Sequence, residues 1–310
     1  MKKELQRPII PVKITDDMTV SQLVGSFSNC AFGAGRLCEA VEIYREMIND
    51  RECTKFFGLA GAMVPAGMRQ IVSDLIRERE IDIVVTTGAN LVHDIIESLG
   101  LHHYKGTDVT DDVELKHNAI NRIYDVFLPE EHFSRLEEML QPMFKELPGA
   151  LSISEFLSHI GGKLDDENSI LRSAYDMDVP VYCPAIQDSI IGLQAWLYRQ
   201  TKPLNVDAFA DMKGLIDRCY EAKRAGVLIV GGGVPKNFIL QSMLVTPRSF
   251  DYAIQLTMDR PETGGLSGAT LDEARSWGKV GENARSVTVY SDATITLPLI
   301  VAASKSRKQA

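Results

Sequence analysis

Short apolar runs rich in β-branched residues recur along the chain. Each is followed by a cluster of small residues, and then by apolar positions three and four apart. The clearest unit is IDIVVT at 81–86, then TGAN at 87–90, then Leu91, Ile95, Ile96 and Leu99. A brief apolar run closed by a glycine-bearing turn predicts a buried strand. The spacing that follows predicts an amphipathic helix. The same pattern predicts strands at 54–59, 179–183, 226–230, 252–257 and 287–291. It places helices after 60–67, 184–189, 231–236 and 292–294, the first three reaching Glu78, Arg199 and about Leu244. Strands alternating with helices at this spacing predict an α/β fold, a Rossmann-like doubly wound parallel sheet.

Two regions depart from that alternation. Over 1–50, Thr19 and Gln22 have capping-box spacing. Leu37, Ala40, Val41, Tyr44, Met47 and Ile48 share one helical face. This predicts a helical N-terminal prelude packed on the sheet. Residues 130–175 read as a helical insertion, with a Leu/Met/Phe stripe over 133–144 that is ordinary core. No repeat, low-complexity tract or linker divides the chain, so a single domain over 1–310 is expected.

Composition narrows the class. Hydrophobic residues are 45% and charged residues 24%, the balance of a soluble globular protein. The net charge of -9 argues against nucleic acid and anionic membrane as partners. The five cysteines, Cys30, Cys38, Cys53, Cys183 and Cys219, are scattered and never form a C-x-x-C pair. No disulfide framework or zinc site is expected, and a reduced cytoplasm fits. The start, MKKELQRPIIPVKI, is too polar for a signal peptide, and no apolar stretch approaches the ~20 residues that span a bilayer.

In a parallel sheet, ligands bind beyond the carboxyl ends of the strands. The turns there, 58–67, 86–90, 231–233 and 292–294, are rich in small residues that let a phosphate approach the backbone. Gly231-Gly-Gly is a moderate nucleotide signal, short of G-x-G-x-x-G and compatible with a plain tight turn. The segment TGGLSGATLDEARSWGK at 263–279 is a glycine-rich loop, a short helix and then Trp277-Gly-Lys279. An amine held against an indole and away from water is more readily neutral, as Schiff-base chemistry requires. By itself a lysine is ordinarily a solvated charge. His93 falls in the helix after 86–90, facing a ligand or the core. No metal-ligand spacing or paired-carboxylate pattern appears.

These residues carry a family resemblance. SWGK at 276–279 followed by VTVYSDATITLP at 287–298 resembles the C-terminal signature of the deoxyhypusine synthase family. DIVVTTGANLVHD at 82–94, NAINRIYDV at 118–126, DVPVYCPAIQDSIIG at 178–192 and GVLIVGGGVPK at 226–236 resemble family segments in the same order. The resemblance implies a Rossmann-like domain that uses NAD and assembles as a homotetramer, with active sites between paired subunits. It implies transfer of an aminobutyl group from a polyamine, spermidine in the type reaction, through a lysine imine to an acceptor amine.

By position, Lys279 resembles the imine-forming catalytic lysine. Trp277 resembles the indole that walls the polyamine channel, and Glu273 the acid near it. Thr87, Gly88, Ala89, Asp188, Gly232, Gly233, Asp292 and Ala293 match NAD-contacting positions. Ser267 and His93 join the substrate-binding expectation. So does Asn237, although it and Phe238 stand where the family has two histidines. Leu266 and Leu193 stand where it has ammonium-binding aspartates, Gly265 replaces a serine, and Thr257 replaces an asparagine. This pattern resembles the bacterial deoxyhypusine synthase-like branch. The acceptor stays open between a protein lysine and a small amine, as in a homospermidine synthase-like enzyme. A non-catalytic NAD- or polyamine-binding paralogue is the alternative.

Overall fold

The apolar runs form parallel strands with helices between them. In the computed structural model residues 7–305 are described. Residues 1–6 of the prelude and 306–310 lie outside the described residues. The chain divides into two compact units, Met1–Gly58 with Arg218–Ala310, and Leu59–Asp217.

In the first unit the strands lie in the order Val280–Tyr290, Phe250–Thr257, Arg224–Val230, Cys53–Leu59. Phe250–Thr257 is parallel to both its neighbours, with Leu256 opposite Val230 on one side and Val289 on the other. Val227, Leu228, Ile229, Val230, Ala253 and Ile254 are buried, as expected of parallel strands covered on both faces. The prelude contains Val20–Ser26, opened by the expected capping box: Gln22 N–H donates to Thr19 Oγ1 at 3.2 Å and Thr19 N–H to Gln22 Oε1 at 2.8 Å. Helix Phe32–Asn49 buries Leu37, Ala40, Val41, Tyr44 and Met47 against the last two strands and helix Ala293–Lys305. Full burial of each large side chain contributes about 1.5–3 kcal/mol.

The strand expected at 287–291 runs from Val280 to Tyr290. Its register jumps from Phe250 opposite Val280 to Tyr252 opposite Arg285, so 281–284 bulge out. A bulge breaks the two-residue period on which a sequence reading depends.

In the second unit, Ile83–Thr86 pairs in parallel with Val181–Tyr182. The 130–175 region is mostly helical, with Glu131–Met143, Ile153–Gly161 and Ile170–Asp176. The expected stripe is core: Leu136, Leu140 and Phe144 are buried, and Phe144 packs 5.6 Å from both Phe156 and Tyr198. Not expected from the sequence is an antiparallel sheet of Tyr104–Lys105, Val126–Pro129 and Ile120–Ile123.

Asp211 sits at 2% exposure, with Oδ1 accepting from Ser154 N–H at 2.9 Å and Oδ2 without a hydrogen-bond partner among the described residues. Burial pushes its carboxyl up to about 6 from 3.8. Folding therefore favours its protonated form. That contribution is full below pH 3.8 and is lost as pH rises through 6. Relative to the parent, Asp211→Asn should gain ~2–3 kcal/mol of unfolding free energy between pH 4 and 7.5, at about 1.4 kcal/mol per pKa unit. Urea melts of both proteins across that range test this, and a pH-independent difference contradicts it.

Candidate functional site

The W-G-K signature is a helix stop. Helix Leu271–Ser276 starts at Thr270, whose hydroxyl accepts from Glu273 N–H at 3.0 Å. It ends at Trp277. Gly278 adopts φ 71°, and its N–H donates to Arg275 O at 2.9 Å, while Lys279 N–H donates to Ala274 O at 3.0 Å. This paired closure requires a left-handed residue after the cap, which glycine supplies without strain. The sequence thus stops the helix and turns Lys279 into the next strand, where its carbonyl accepts from Phe250 N–H at 3.0 Å. Arg275 braces the bulge beyond by donating to Glu282 O at 3.0 Å, Ala284 O at 2.8 Å and Ser286 Oγ at 2.8 Å.

Lys279 Nζ lies 5.2 Å from the Trp277 ring centroid, within cation–π reach. Trp277 is itself 59% exposed. Within one chain the indole therefore does not seal the amine from water, contrary to the shielding expected from the sequence. Glu273 is exposed on the same helix.

A second lysine stands nearby that sequence reasoning passed over. Lys236 is 3% exposed, and its Nζ donates to Gln255 Oε1 at 3.0 Å and to the Ala269 carbonyl. Burial lowers its proton affinity to about 8, with Glu273 raising it and Lys279 lowering it further, so the three groups share one electrostatic neighbourhood. Gln255 Nε2 donates to Gly231 O at 3.0 Å and Ser267 O at 2.8 Å. Together Lys236 and Gln255 fasten the glycine loop to the strand ends. Ser267 donates its hydroxyl to Asp259 and lies against Gly232, where an added Cβ would come 2.4 Å from Ser267 Cα. Only glycine at 232 allows that approach. Asn237 is half-buried on the following helix, and Leu266 and Leu193 are exposed.

Helix Gly233–Leu244 begins inside the turn expected at 231–236, and Gly232 gives it no side-chain cap. Asp292 Oδ1 accepts from Thr294 N–H at 2.8 Å and Thr294 Oγ1 at 2.9 Å, starting helix Ala293–Lys305.

In the second unit, the turn expected at 86–90 is largely helix. Gly88–Ser98 starts directly after Thr87, which makes no side-chain cap bond. Asn90 Oδ1 accepts from Met63 N–H at 3.1 Å and Val64 N–H at 3.3 Å, pinning the small-residue loop. A Cβ on Gly88 would lie 2.3 Å from Ser189 Cβ, so Thr87, Gly88 and Ala89 lie close to the segment that carries exposed Asp188. His93 is 9% exposed, and its Nδ1 lies 2.8 Å from Nε2 of His103.

The residues fit NAD on one count. Helices starting at Ile170, Ile190 and Leu271 have Ser169, Ser189 and Thr270 as side-chain caps. Those starting at Gly88 and Gly233 have none, and neither do those starting at Phe32, Arg69 and Glu131. Their first N–H groups remain available to an anion such as a cofactor phosphate. Among the described residues no cluster of His, Cys, Asp or Glu could hold a metal ion, and no helix is long and apolar enough to cross a membrane.

Comparison with known proteins places this geometry. The family model for deoxyhypusine synthase matches residues 22–304. A Methanosarcina mazei protein named "Probable deoxyhypusine synthase 1" is 65% identical over 306 residues, 98% of this chain and 96% of that protein. An Archaeoglobus fulgidus protein of the same name is 48% identical over 290 residues, 94% of this chain and 95% of that protein. A crystal structure from Entamoeba histolytica, described as a deoxyhypusine synthase, superposes with a TM-score of 0.66 at 17% identity, covering 94% of this chain and 96% of that one. At that identity it speaks for the fold alone. The relatives that carry the family reading are archaeal, which corrects the bacterial branch suggested by the substituted amine-binding positions. With a match spanning nearly the whole sequence and relatives at this identity, the chain belongs to the deoxyhypusine synthase family of transferases.

Proposed function

We propose that the chain is an NAD-dependent transferase that moves an aminobutyl group from a polyamine such as spermidine to an acceptor amine, with Lys279 as covalent carrier. The observation that carries this reading is Lys279 itself, set by the helix stop at Trp277-Gly278 in a chain whose family match spans 22–304. NAD, when bound, supplies the removal and return of one hydride at the carbon beside the amine. The uncapped helix starts at Thr87–Ala89 in one unit and at Gly232-Gly233 in the other each suit an anionic phosphate. Lys279 Nζ attacks the resulting imine carbon, forms its own imine with the aminobutyl group and releases 1,3-diaminopropane. The acceptor amine then displaces the lysine by the same exchange.

Trp277 offers an apolar face to the methylene chain of the donor. With Leu266 and Leu193 in place of carboxylates, ammonium recognition falls to Glu273 and other acids near the loop. Ser267 and Asn237 contribute polar contacts, and His93 a nitrogen. A protein lysine and a small amine both satisfy the acceptor chemistry. We place the protein in the cytoplasm as a homotetramer, in keeping with its free cysteines and its family.

Incubation with NAD and spermidine, with and without added putrescine, tests this by product analysis. Formation of 1,3-diaminopropane is the expected result, and homospermidine in the putrescine arm would identify a small-amine acceptor. Binding of NAD seen as a raised melting temperature, with no product from any polyamine or acceptor, would replace the enzyme with the binding-protein reading.

A further inference from the structure

Lys236 and Gln255 form a buried hub whose connections all lie within the unit that carries Lys279. Lys236 is 3% exposed and Gln255 is fully buried. Three backbone carbonyls from separate segments converge on the pair. Gln255 Nε2 donates to Gly231 O at 3.0 Å and to Ser267 O at 2.8 Å. Lys236 Nζ donates to Gln255 Oε1 at 3.0 Å and to the Ala269 carbonyl. The hub therefore joins the strand-end turn at 231–233, the glycine loop and the residue just ahead of Thr270, the cap of helix Leu271–Ser276.

From that last carbonyl to Lys279 the path is short. Thr270 O accepts from Ala274 N–H at 3.2 Å, and Ala274 O accepts from Lys279 N–H at 3.0 Å. The loop on the other side holds Gly264, Gly265 and Gly268, whose backbones take many courses unless they are tied. Its last turn is closed by Gly268 N–H and Ala269 N–H, which donate to Gly265 O at 3.1 and 3.2 Å. The Lys236 bond to Ala269 O fastens the end of that turn to the sheet.

We propose that Lys236 is the positioning residue for Lys279: its two donated bonds hold the glycine loop and the helix start in one place, and so fix where the carrier amine stands. This rests on the proposed function. Lys236 touches no substrate in this role and transfers no proton or group. A displacement of about 1 Å in a reacting group costs on the order of 10²-fold in rate.

The chemistry of the buried amine agrees. Burying an amine is costly unless its N–H groups are bonded. A neutral amine meets both acceptors with its two N–H bonds, and the third N–H of the ammonium has no partner among the described residues. Burial, opposed by Glu273 and reinforced by Lys279, lowers Lys236 to about 8. Its charge therefore changes near pH 8 while both bonds persist, so the hub holds the loop on either side of that pH.

Two measurements on the full-length protein test this role. In rapid-quench experiments with NAD and spermidine, NADH is followed by absorbance and the Lys279 adduct by borohydride trapping. Lys236→Met keeps the length of the side chain and removes both donors. It should slow adduct formation on the order of 10²-fold, while NADH appears at the parent's rate and NAD affinity holds. Adduct formation at the parent's rate would overturn the positioning role and leave the proposed function intact. NADH and adduct slowed equally, with a lowered melting temperature, would also overturn it, because a merely structural residue would act that way. A parent protein that forms no adduct with any polyamine would overturn the proposed function itself. The second measurement needs no ligand and no activity. In carbon-13 NMR of the lysine-labelled parent, the Lys279 signal, identified by its loss in Lys279→Arg, should show a step near pH 8 that coincides with the titration of Lys236. The step should vanish in Lys236→Met. A Lys279 signal blind to the titration of Lys236 would overturn the proposal even if Lys236→Met does not fold.

Discussion

Replacing Lys279 with arginine is expected to reduce aminoalkyl transfer by at least ~10³-fold while leaving the fold and NAD binding close to those of the parent. The backbone bonds that set this position, Lys279 N–H to Ala274 O and Lys279 O to Phe250 N–H, do not involve the side chain. Arginine keeps the cation within reach of the exposed Trp277 ring, so the local contact survives. What is lost is the nucleophile, since a guanidinium stays protonated and forms no imine under these conditions. Transfer assays at saturating spermidine and NAD, with a thermal melt of the same sample, separate chemistry from folding. Transfer within tenfold of the parent would show that Lys279 is not the carrier. A melt lowered by many degrees would show instead that its side chain holds the fold.

Asp94→Ala is expected to have the largest effect on stability, roughly 3–5 kcal/mol, the usual cost of removing one partner from a buried ion pair. Asp94 is fully buried. Oδ1 accepts from Arg69 Nε at 2.7 Å and from Ile170 N–H at 3.0 Å, and Oδ2 accepts from Ser169 Oγ at 2.8 Å and Leu171 N–H at 3.0 Å. The carboxylate thus ties the helix start at Ile170 to helix Gly88–Ser98 and to Arg69, which also bridges to Asp166 at 2.7 Å. Alanine strands two backbone N–H groups and a partly buried guanidinium. Asp94→Asn keeps the shape and loses the charge, so it should fall between the parent and Asp94→Ala. Denaturant unfolding of the three proteins at one pH measures this, and a loss below ~1 kcal/mol in Asp94→Ala would contradict the role.

The strand–turn–helix units are legible in the sequence because parallel strands buried on both faces appear as unbroken apolar runs, and because glycines mark their ends. What escapes is of two kinds. The small antiparallel sheet over 104–129 hides because its strands carry Asn121 and Arg122, while positive φ falls on Ala119 and Tyr124 rather than on glycine. The contacts that shape the candidate site hide because they join residues distant in sequence. Lys236 meets Gln255 across 19 positions, and Asp94 meets Leu171 across 77. Trp277 and Lys279 are legible as a pair, since W-G-K encodes both a helix stop and a cation beside an indole. Their exposure is not, because it depends on what lies around them in space.

The central claim is that Lys279 carries the transferred group as an imine. The protein should be incubated with NAD and spermidine, reduced with borohydride, digested and analysed by mass spectrometry. A stable aminobutyl adduct on Lys279, in the peptide that continues into Val280-Gly281-Glu282, is the predicted result, and omission of either NAD or spermidine should abolish it. An adduct on Lys236 or another lysine, or diaminopropane release with Lys279 unmodified after reduction, would contradict the account.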